Sequence, residues 1–276
     1  MPGSDRNART VTLTTSDASL AYRDEGSGRP LVLLHGGFLD STMWDEQVRA
    51  FAPRHRVVAV DARGHGATSN ATGPFRAADD VAALLRHLDA GPAVLVGLSM
   101  GGGTAVDVVL EHPDLVRAVV VSGVGTSEPA FEDPWTLDVF ARQQRALAAG
   151  DIEAVADAFL DFVAGPHRPL DEVGKDVVRR VREMTLRTLA KHTGDEPDHR
   201  VPVRDTWRRA RGIGVPVLAI NGAVDSPDHL GMADRLVRTV PRGRATAIPD
   251  TAHYPNMEAP AQFDAALTDF LAGLPD

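Results

Sequence analysis

The segment that most constrains the fold is a strand-like run that leads directly into a glycine-flanked serine. Ala93–Val96 is apolar throughout, Gly97–Gly103 reads Gly-Leu-Ser-Met-Gly-Gly-Gly, and a helical pattern follows. This is the Gly-x-Ser-x-Gly pattern in the strand–turn–helix context that an exposed serine nucleophile requires. A turn this sharp crowds its own backbone, so its flanking positions have no space for side chains. The sequence therefore predicts that Ser99 is a nucleophile at a helix N-terminus, where free N–H groups favour an oxyanion.

Apolar runs alternate with helical patterns on both sides of this turn. The other strand-like runs are Val11–Thr15, Ser19–Asp24, Pro30–Leu34, Arg56–Val60, Val116–Val121, Val215–Ile220 and the weaker Ala245–Ile248. The helical patterns are Ala77–Leu88, Gly101–Glu111, Leu230–Val240 and Ala261–Leu271. Turn residues between the first two runs indicate an antiparallel hairpin. The alternation as a whole predicts an α/β fold, with a mostly parallel sheet of about eight strands flanked by helices.

The alternation stops between about Gly125 and Arg211, where the chain is helical throughout. The helical segments there are Trp135–Ala149, Ile152–Val163, Glu172–His192 and Val203–Arg211, separated by turns that contain glycine or proline. We interpret residues 126–211 as an all-helical cap inserted before the strand Val215–Ile220, which leads to a candidate catalytic acid. Residues 1–125 and 212–276 are expected to form the core domain.

The composition excludes several classes of partner. The 276 residues carry a formal net charge of −9 and no cysteine, which argues against a nucleic-acid partner and excludes thiol chemistry. No apolar run approaches the roughly 20 residues of a membrane helix, and no signal-like apolar region follows the polar stretch Met1–Asn7. We expect a cytoplasmic protein that acts on a small molecule, and its oligomeric state stays open. No cluster of His, Asp and Glu has metal-ligand spacing on one element, so neither a metal nor a cofactor is implied.

Three stretches of the chain resemble the α/β-hydrolase superfamily. They are Leu33–Phe38 (Leu-Leu-His-Gly-Gly-Phe), Val60–Ser69 (Val-Asp-Ala-Arg-Gly-His-Gly-Ala-Thr-Ser) and the serine turn Gly97–Gly103. The resemblance extends over nearly the full length and points to the small cofactor-free esterases, lactonases and perhydrolases. The second stretch is especially similar to that of enol-lactonases. The resemblance implies an α/β-hydrolase fold and a triad in the chain order Ser, Asp, His.

Two N–H groups are needed to bind the oxyanion that forms on nucleophilic attack. The first follows from position and is that of Met100, the residue after the nucleophile. In similar enzymes the second donor lies two residues after the histidine of His-Gly-x, which here is Gly37, and Phe38 is the next candidate. The alternative interpretation is that the glycines of this loop only permit a tight turn. His35 is expected to brace the loop through its ring nitrogens.

The resemblance places the catalytic base on the loop between the last strand and the last helix, and His253 is the histidine there. A carboxylate must orient this imidazole and stabilise its cation. Asp225 follows the preceding strand at its carboxyl end, where ligands gather in α/β sheets, and Asp228 is the second candidate. Some relatives carry the acid one strand earlier, but Ser122–Gly125 contains no carboxylate.

These residues predict a serine hydrolase that cleaves a carboxylic ester or lactone of a small, largely apolar substrate through an acyl-enzyme. Dehalogenases and epoxide hydrolases of this fold attack with aspartate, so Ser99 argues against both. Carbon–carbon bond hydrolases typically carry an Asn in the loop that here is Phe38–Trp44, and they stay an alternative. A perhydrolase on the same triad and an inactive ligand-binding member are further alternatives.

Substrate choice is expected to depend on aromatic side chains of the cap and of the loop after Gly37. The candidates for substrate binding are Phe38, Trp44, Trp135, Phe140, Phe159 and Phe162.

Overall fold

A single eight-stranded sheet organises the part of the chain that the computed structural model describes, residues 10–275. Its strands are β1 (Thr10–Thr14), β2 (Ser19–Gly26), β3 (Pro30–Leu34), β4 (Arg56–Val60), β5 (Ala93–Leu98), β6 (Val116–Ser122), β7 (Val217–Gly222) and β8 (Gly243–Ile248). The polar stretch Met1–Asn7, for which the sequence predicts no signal region, lies outside the described residues.

The strand order is β1-β2-β4-β3-β5-β6-β7-β8. Strand β2 pairs antiparallel with both β1 and β4, and all other neighbours are parallel. The predicted N-terminal hairpin and the mostly parallel sheet are therefore confirmed.

Eleven α-helices are present among the described residues. They are α1 (Asp45–Phe51), α2 (Ala77–Leu88), α3 (Met100–Glu111), α4 (Pro134–Ala148), α5 (Ile152–Phe159), α6 (Asp161–Ala164), α7 (Lys175–Leu189), α8 (Thr206–Arg209), α9 (Pro227–Thr239), α10 (Pro255–Glu258) and α11 (Pro260–Ala272). None of the helices described is long and apolar enough to cross a membrane.

The central strands are buried on both faces because helices cover the sheet on each side. All five residues of β3 are buried, and alternate side chains point to opposite faces of a strand. Leu31 and Leu33 enter a core with residues of α1 and α11, whereas Val32 and Leu34 enter one with residues of α2 and α3. This explains why the sequence of β3 is continuously apolar instead of alternating.

Helices α4 to α8 lie between β6 and β7. The helix expected over Ile152–Val163 is divided into α5 and α6 near Leu160, and the one expected over Glu172–His192 is shorter. It begins at Lys175 because Val173, with φ −85° and ψ 145°, is extended. The end of α6 packs tightly against the core, since a Cβ on Gly165 would lie 2.4 Å from the carbonyl oxygen of Val224.

Candidate active site

The serine turn is as tight as its glycines indicate. Ser99 has φ 51° and ψ −115°, a conformation that non-glycine residues rarely adopt, and α3 begins directly after it. A Cβ on Gly97 would lie 2.2 Å from the carbonyl oxygen of Gly101, and one on Gly101 would lie 2.2 Å from that of Leu34. Neither position can hold a side chain unless the backbone moves. The strained serine is therefore held by the packing of β5, α3 and the end of β3.

The segment after β6 lies between Ser99 and His253. The N–H of Ser99 donates to the carbonyl oxygen of Ser122 at 2.8 Å. The N–H of Gly123 donates to Asn221 Oδ1 at 3.0 Å, and a Cβ on Gly123 would lie 2.6 Å from Cε1 of His253. The missing side chain thus lets the imidazole approach the serine turn. Within residues 10–275 no hydrogen bond joins the Ser99 hydroxyl to His253.

Asp225 is the carboxylate that contacts His253. His253 Nδ1 lies 2.8 Å from Asp225 Oδ2, and their side chains are only 5% and 1% exposed. Asp228, the second candidate, makes different contacts, because its Oδ2 accepts the N–H groups of Glu132 and Asp133, both at 3.0 Å. The structure therefore brings His253 and Asp225 together and places Asp228 at the start of the helical segment.

A second imidazole, absent from the sequence-based predictions, also contacts this carboxylate. His229 Nδ1 lies 3.1 Å from Asp225 Oδ1 and 2.9 Å from Ser226 Oγ. Asp225 lies before α9 and His229 lies on the first turn of that helix, so a search for ligand spacing within a single helix misses the pair. A search that ignored element boundaries would have found it, because the two residues are four positions apart in the sequence. Asp225, His229 and His253 are the one group within residues 10–275 whose donor atoms all lie within 4.8 Å of one another, and the two hydrogen bonds to the carboxylate explain this proximity without a metal ion.

The environment of these groups favours an ionised Asp225 carboxylate and a neutral His253 imidazole. Burial raises the pKa of Asp225, but the charges of His253 and His229 and their hydrogen bonds outweigh it and hold the pKa below its ordinary value. Burial also lowers the pKa of His253; Asp225 opposes this effect and His229 adds to it. A neutral imidazole at neutral pH is the form that a general base requires.

The predicted oxyanion donors lie on the turn after β3 and at the start of α3. In the described range, neither the N–H of Met100 nor that of Gly37 has a protein acceptor. A Cβ on Gly36 would lie 3.8 Å from Cβ of Ser99, which places this turn beside the serine. A Cβ on Gly37 would meet nothing within 4 Å, so steric crowding does not explain this glycine.

His35 braces the turn as expected. Its Nε2 accepts the N–H of Ala62 at 2.9 Å, so the proton must be on Nδ1, which donates to the carbonyl oxygen of Gly36 at 2.8 Å. Burial lowers the pKa of His35, in keeping with a neutral ring. This histidine supports the loop and takes no part in the cluster around Asp225.

Five of the six aromatic side chains expected to bind substrate form one connected group, here called the aromatic row: Phe38, Phe159, Phe162, Phe140 and Trp135. The ring centroids of Phe38 and Phe159 are 5.2 Å apart. That of Phe162 lies 5.9 Å from His253, and the Phe162 carbonyl oxygen accepts the His253 N–H at 3.4 Å. The row therefore extends from the loop after β3 to His253.

Trp44 has a different position from the aromatic row. Its side chain is fully buried, and its ring contacts Phe263 of α11 at 6.0 Å between centroids. Trp44 therefore packs in the hydrophobic core, and its position does not support the prediction that it contacts substrate.

The loop that carries His253 is fixed by a buried ion pair. Glu258 Oε1 accepts the N–H of Ala252 at 2.9 Å, and its Oε2 lies 2.6 Å from Arg168 Nη2. Arg168 also donates to the carbonyl oxygens of Asp250 at 2.6 Å and Val163 at 2.9 Å. One guanidinium thereby joins α6, the base loop and α10.

Comparison with known proteins supports the fold and the class of chemistry. A family model described as alpha/beta hydrolase fold matches residues 29–260. A 2-(acetamidomethylene)succinate hydrolase of Mesorhizobium japonicum is 28% identical, with 92% of this chain and 91% of that protein covered. A 3-oxoadipate enol-lactonase of Acinetobacter baylyi is 25% identical over 93% of this chain and 94% of that protein. The structure of a thermophilic esterase from Thermogutta terrifontis aligns with a TM-score of 0.77 at 25% identity, covering 96% of this chain and 98% of that one.

Proposed function

The chain belongs to the α/β-hydrolase family of enzymes, and on this premise we propose that it is a serine hydrolase that cleaves a carboxylic ester or lactone through an acyl-enzyme. The observation that carries the proposal is the buried 2.8 Å contact between Asp225 and His253, beside a serine held in a strained turn. Such a carboxylate fixes the tautomer of the base and stabilises its cation.

In the proposed mechanism, His253 Nε2 removes the proton of Ser99 as the hydroxyl oxygen attacks the substrate carbonyl carbon. Formation of this bond places negative charge on the carbonyl oxygen, which the N–H groups of Met100 and Gly37 bind. Collapse of the intermediate breaks the bond to the leaving alkoxide, which takes the proton from His253. Water then attacks the acyl-enzyme with His253 as its base, which releases the acid and restores Ser99.

The aromatic row supports an apolar group next to the reacting carbonyl. It combines Phe38, beside the proposed oxyanion donor, with rings from α4, α5 and α6. We propose that residues 126–211 form the cap that selects the substrate and that residues 1–125 and 212–276 form the core. Lys191 of the proposed cap donates to the carbonyl oxygens of Gly66 and Thr68, both at 2.8 Å, which fastens it to the core.

The test is a panel of chromogenic esters graded by acyl length, together with simple lactones, assayed with wild type and Ser99→Ala. We expect turnover by wild type and a loss of at least about 10³-fold in Ser99→Ala. A fluorophosphonate should label wild type at Ser99, and mass spectrometry of the peptide would locate the adduct. Ser127→Ala is the matched control, since it also removes one serine hydroxyl, here one that donates to Asp107 at 2.6 Å. Equal rates for wild type and Ser99→Ala would exclude the serine mechanism.

A further inference from the structure

The carboxylate of Asp225 is shared between two histidines. Its Oδ2 faces His253 Nδ1 at 2.8 Å, and its Oδ1 faces His229 Nδ1 at 3.1 Å. The two rings lie close, with centroids 4.2 Å apart and planes inclined by 35°. A catalytic triad needs only one imidazole on its acid, so the second one calls for an explanation.

The protonation of His229 follows from its neighbours. An ionised carboxylate only accepts hydrogen bonds, so the nitrogen that faces Asp225 must carry a proton. Ser226 Oγ, 2.9 Å from the same nitrogen, is then a second acceptor for that proton. The N–H of Ser226 also donates to Asp225 Oδ1, at 2.7 Å. Two donors thus hold one oxygen of the carboxylate and leave the other oxygen to His253.

We propose that His229 is a positioning residue of the triad, which fixes the Asp225 carboxylate through Oδ1 and limits the negative charge that His253 experiences. The proposal rests on the proposed function, in which His253 is the general base. His229 itself removes no proton from the nucleophile in this scheme. Its part is to set the orientation and the proton affinity of the residue that does.

Other groups around the pair do not duplicate this contact. The rings of Phe131 and Phe162 pack against His229, with centroids 5.8 and 5.6 Å away. Titratable and charged groups on the elements around Asp225 and His229 include Asp228, Glu132, Asp133, His253, Tyr254, Glu258 and Arg168. Of these, only His253 has a hydrogen bond to Asp225 within the described residues.

The test uses two variants of nearly equal size. His229→Asn places an amide N–H near the position of Nδ1 and keeps the bond to Oδ1, whereas His229→Leu removes it. Without this donor, Asp225 stabilises protonated His253 more strongly, so the pKa of the base rises. We therefore compare kcat/KM of His229→Leu with that of wild type at two pH values. The loss relative to wild type should be about tenfold greater at pH 6 than at pH 8.5, because a higher pKa of the base reduces activity only at a pH where the base becomes protonated. His229→Asn should show the same fall in kcat/KM at low pH as wild type. Thermal unfolding of both variants reports whether each is folded.

A second measurement does not depend on turnover. The imidazole ¹⁵N shifts of His253, followed by NMR between pH 5 and pH 9, report its protonation in wild type and in both variants. A titration midpoint that rises in His229→Leu and returns in His229→Asn supports the proposal, even if no ester is hydrolysed. An unchanged midpoint in folded His229→Leu would overturn it, and so would the same change in both variants. A protein that titrates as expected but hydrolyses nothing would refute the proposed function alone.

Discussion

Replacing Arg168 with methionine tests how the loop that carries His253 is held. Methionine keeps most of the length of the side chain but removes the guanidinium, which contacts Glu258, Asp250, Val163 and Ala164. The Arg168 and Glu258 side chains are only 14% and 6% exposed. The variant therefore leaves a buried carboxylate whose single remaining donor is a backbone N–H.

The size of the effect follows from this burial. Removing one partner of a buried ion pair typically costs about 3–5 kcal/mol. Glu258 can relieve part of this cost by binding a proton, because burial already raises its pKa and Arg168 is one of the groups that oppose the rise. We therefore expect Arg168→Met to lower the free energy of unfolding by about 3 kcal/mol at pH 8.

The loss should depend on pH in one direction. In the variant, Glu258 has a pKa that is raised in the folded state above its unfolded value. The folded state then binds the proton more readily, so stability is greatest below the unfolded pKa and falls as pH rises through the folded pKa. The deficit of Arg168→Met relative to wild type should accordingly be smaller at pH 5 than at pH 8. The double variant Arg168→Met/Glu258→Gln should be more stable than Arg168→Met at pH 8, since it buries no unpaired charge.

Urea unfolding at both pH values, with kcat and KM for the preferred ester, provides the measurement. Arg238→Met is the control, since it breaks an ion pair with Asp234 in which the side chains are 76% and 49% exposed, and such pairs contribute little. If Arg168→Met and Arg238→Met unfold at the same urea concentration, or if the deficit is equal at pH 5 and pH 8, the assigned role of the ion pair is wrong.

Three further perturbations test the site and its support. Gly101→Ala should lower the free energy of unfolding by about 2–3 kcal/mol, because the added Cβ would lie 2.2 Å from a carbonyl oxygen of β3. Gly37→Ala is the control and should unfold in urea like wild type, because its Cβ would meet nothing within 4 Å. Asp225→Asn should reduce kcat by about 10⁴-fold while circular dichroism stays unchanged; a loss below tenfold would contradict its role. Burial raises the pKa of Asp107 to about 7, so Asp107→Asn should unfold at higher temperature than wild type at pH 8, and this advantage should shrink at pH 5, where the wild-type carboxyl is protonated.

The strength of local patterns determines how much of the fold the sequence predicts. Strands β3 and β4 begin and end where expected because their apolar runs are bounded by polar and turn residues. Helices α1 and α10 were not predicted. The former has seven residues and the latter four, too short for a helical period to stand out. Similarly, no pattern at Leu160 distinguishes two short helices from a single one.

The side-chain contacts of the site depend on tertiary structure, and the spacing of residues along the sequence does not predict all of them. The family resemblance indicates His253, and the position after a strand indicates Asp225; the structure joins the two side chains. The same reasoning could not foresee that Trp44 packs against Phe263, because an aromatic residue after a glycine turn suits a pocket and a core equally well. Spacing within a single helix does not indicate His229, because its partner Asp225 lies just before the helix that carries it.

These contacts change the role expected of the segment between β6 and β7. The sequence assigns it only the choice of substrate, yet the carbonyl oxygen of Phe162 accepts the His253 N–H, and Arg168 binds the base loop from the same segment. Gly165 lies so close to Val224 that a Cβ there would be 2.4 Å from its carbonyl oxygen. The loops of both Asp225 and His253 are therefore packed against the helical segment. Under the proposed function, substitutions at the end of α6 should alter kcat as well as substrate preference, because the same few residues contact the loop of His253 and belong to the aromatic row.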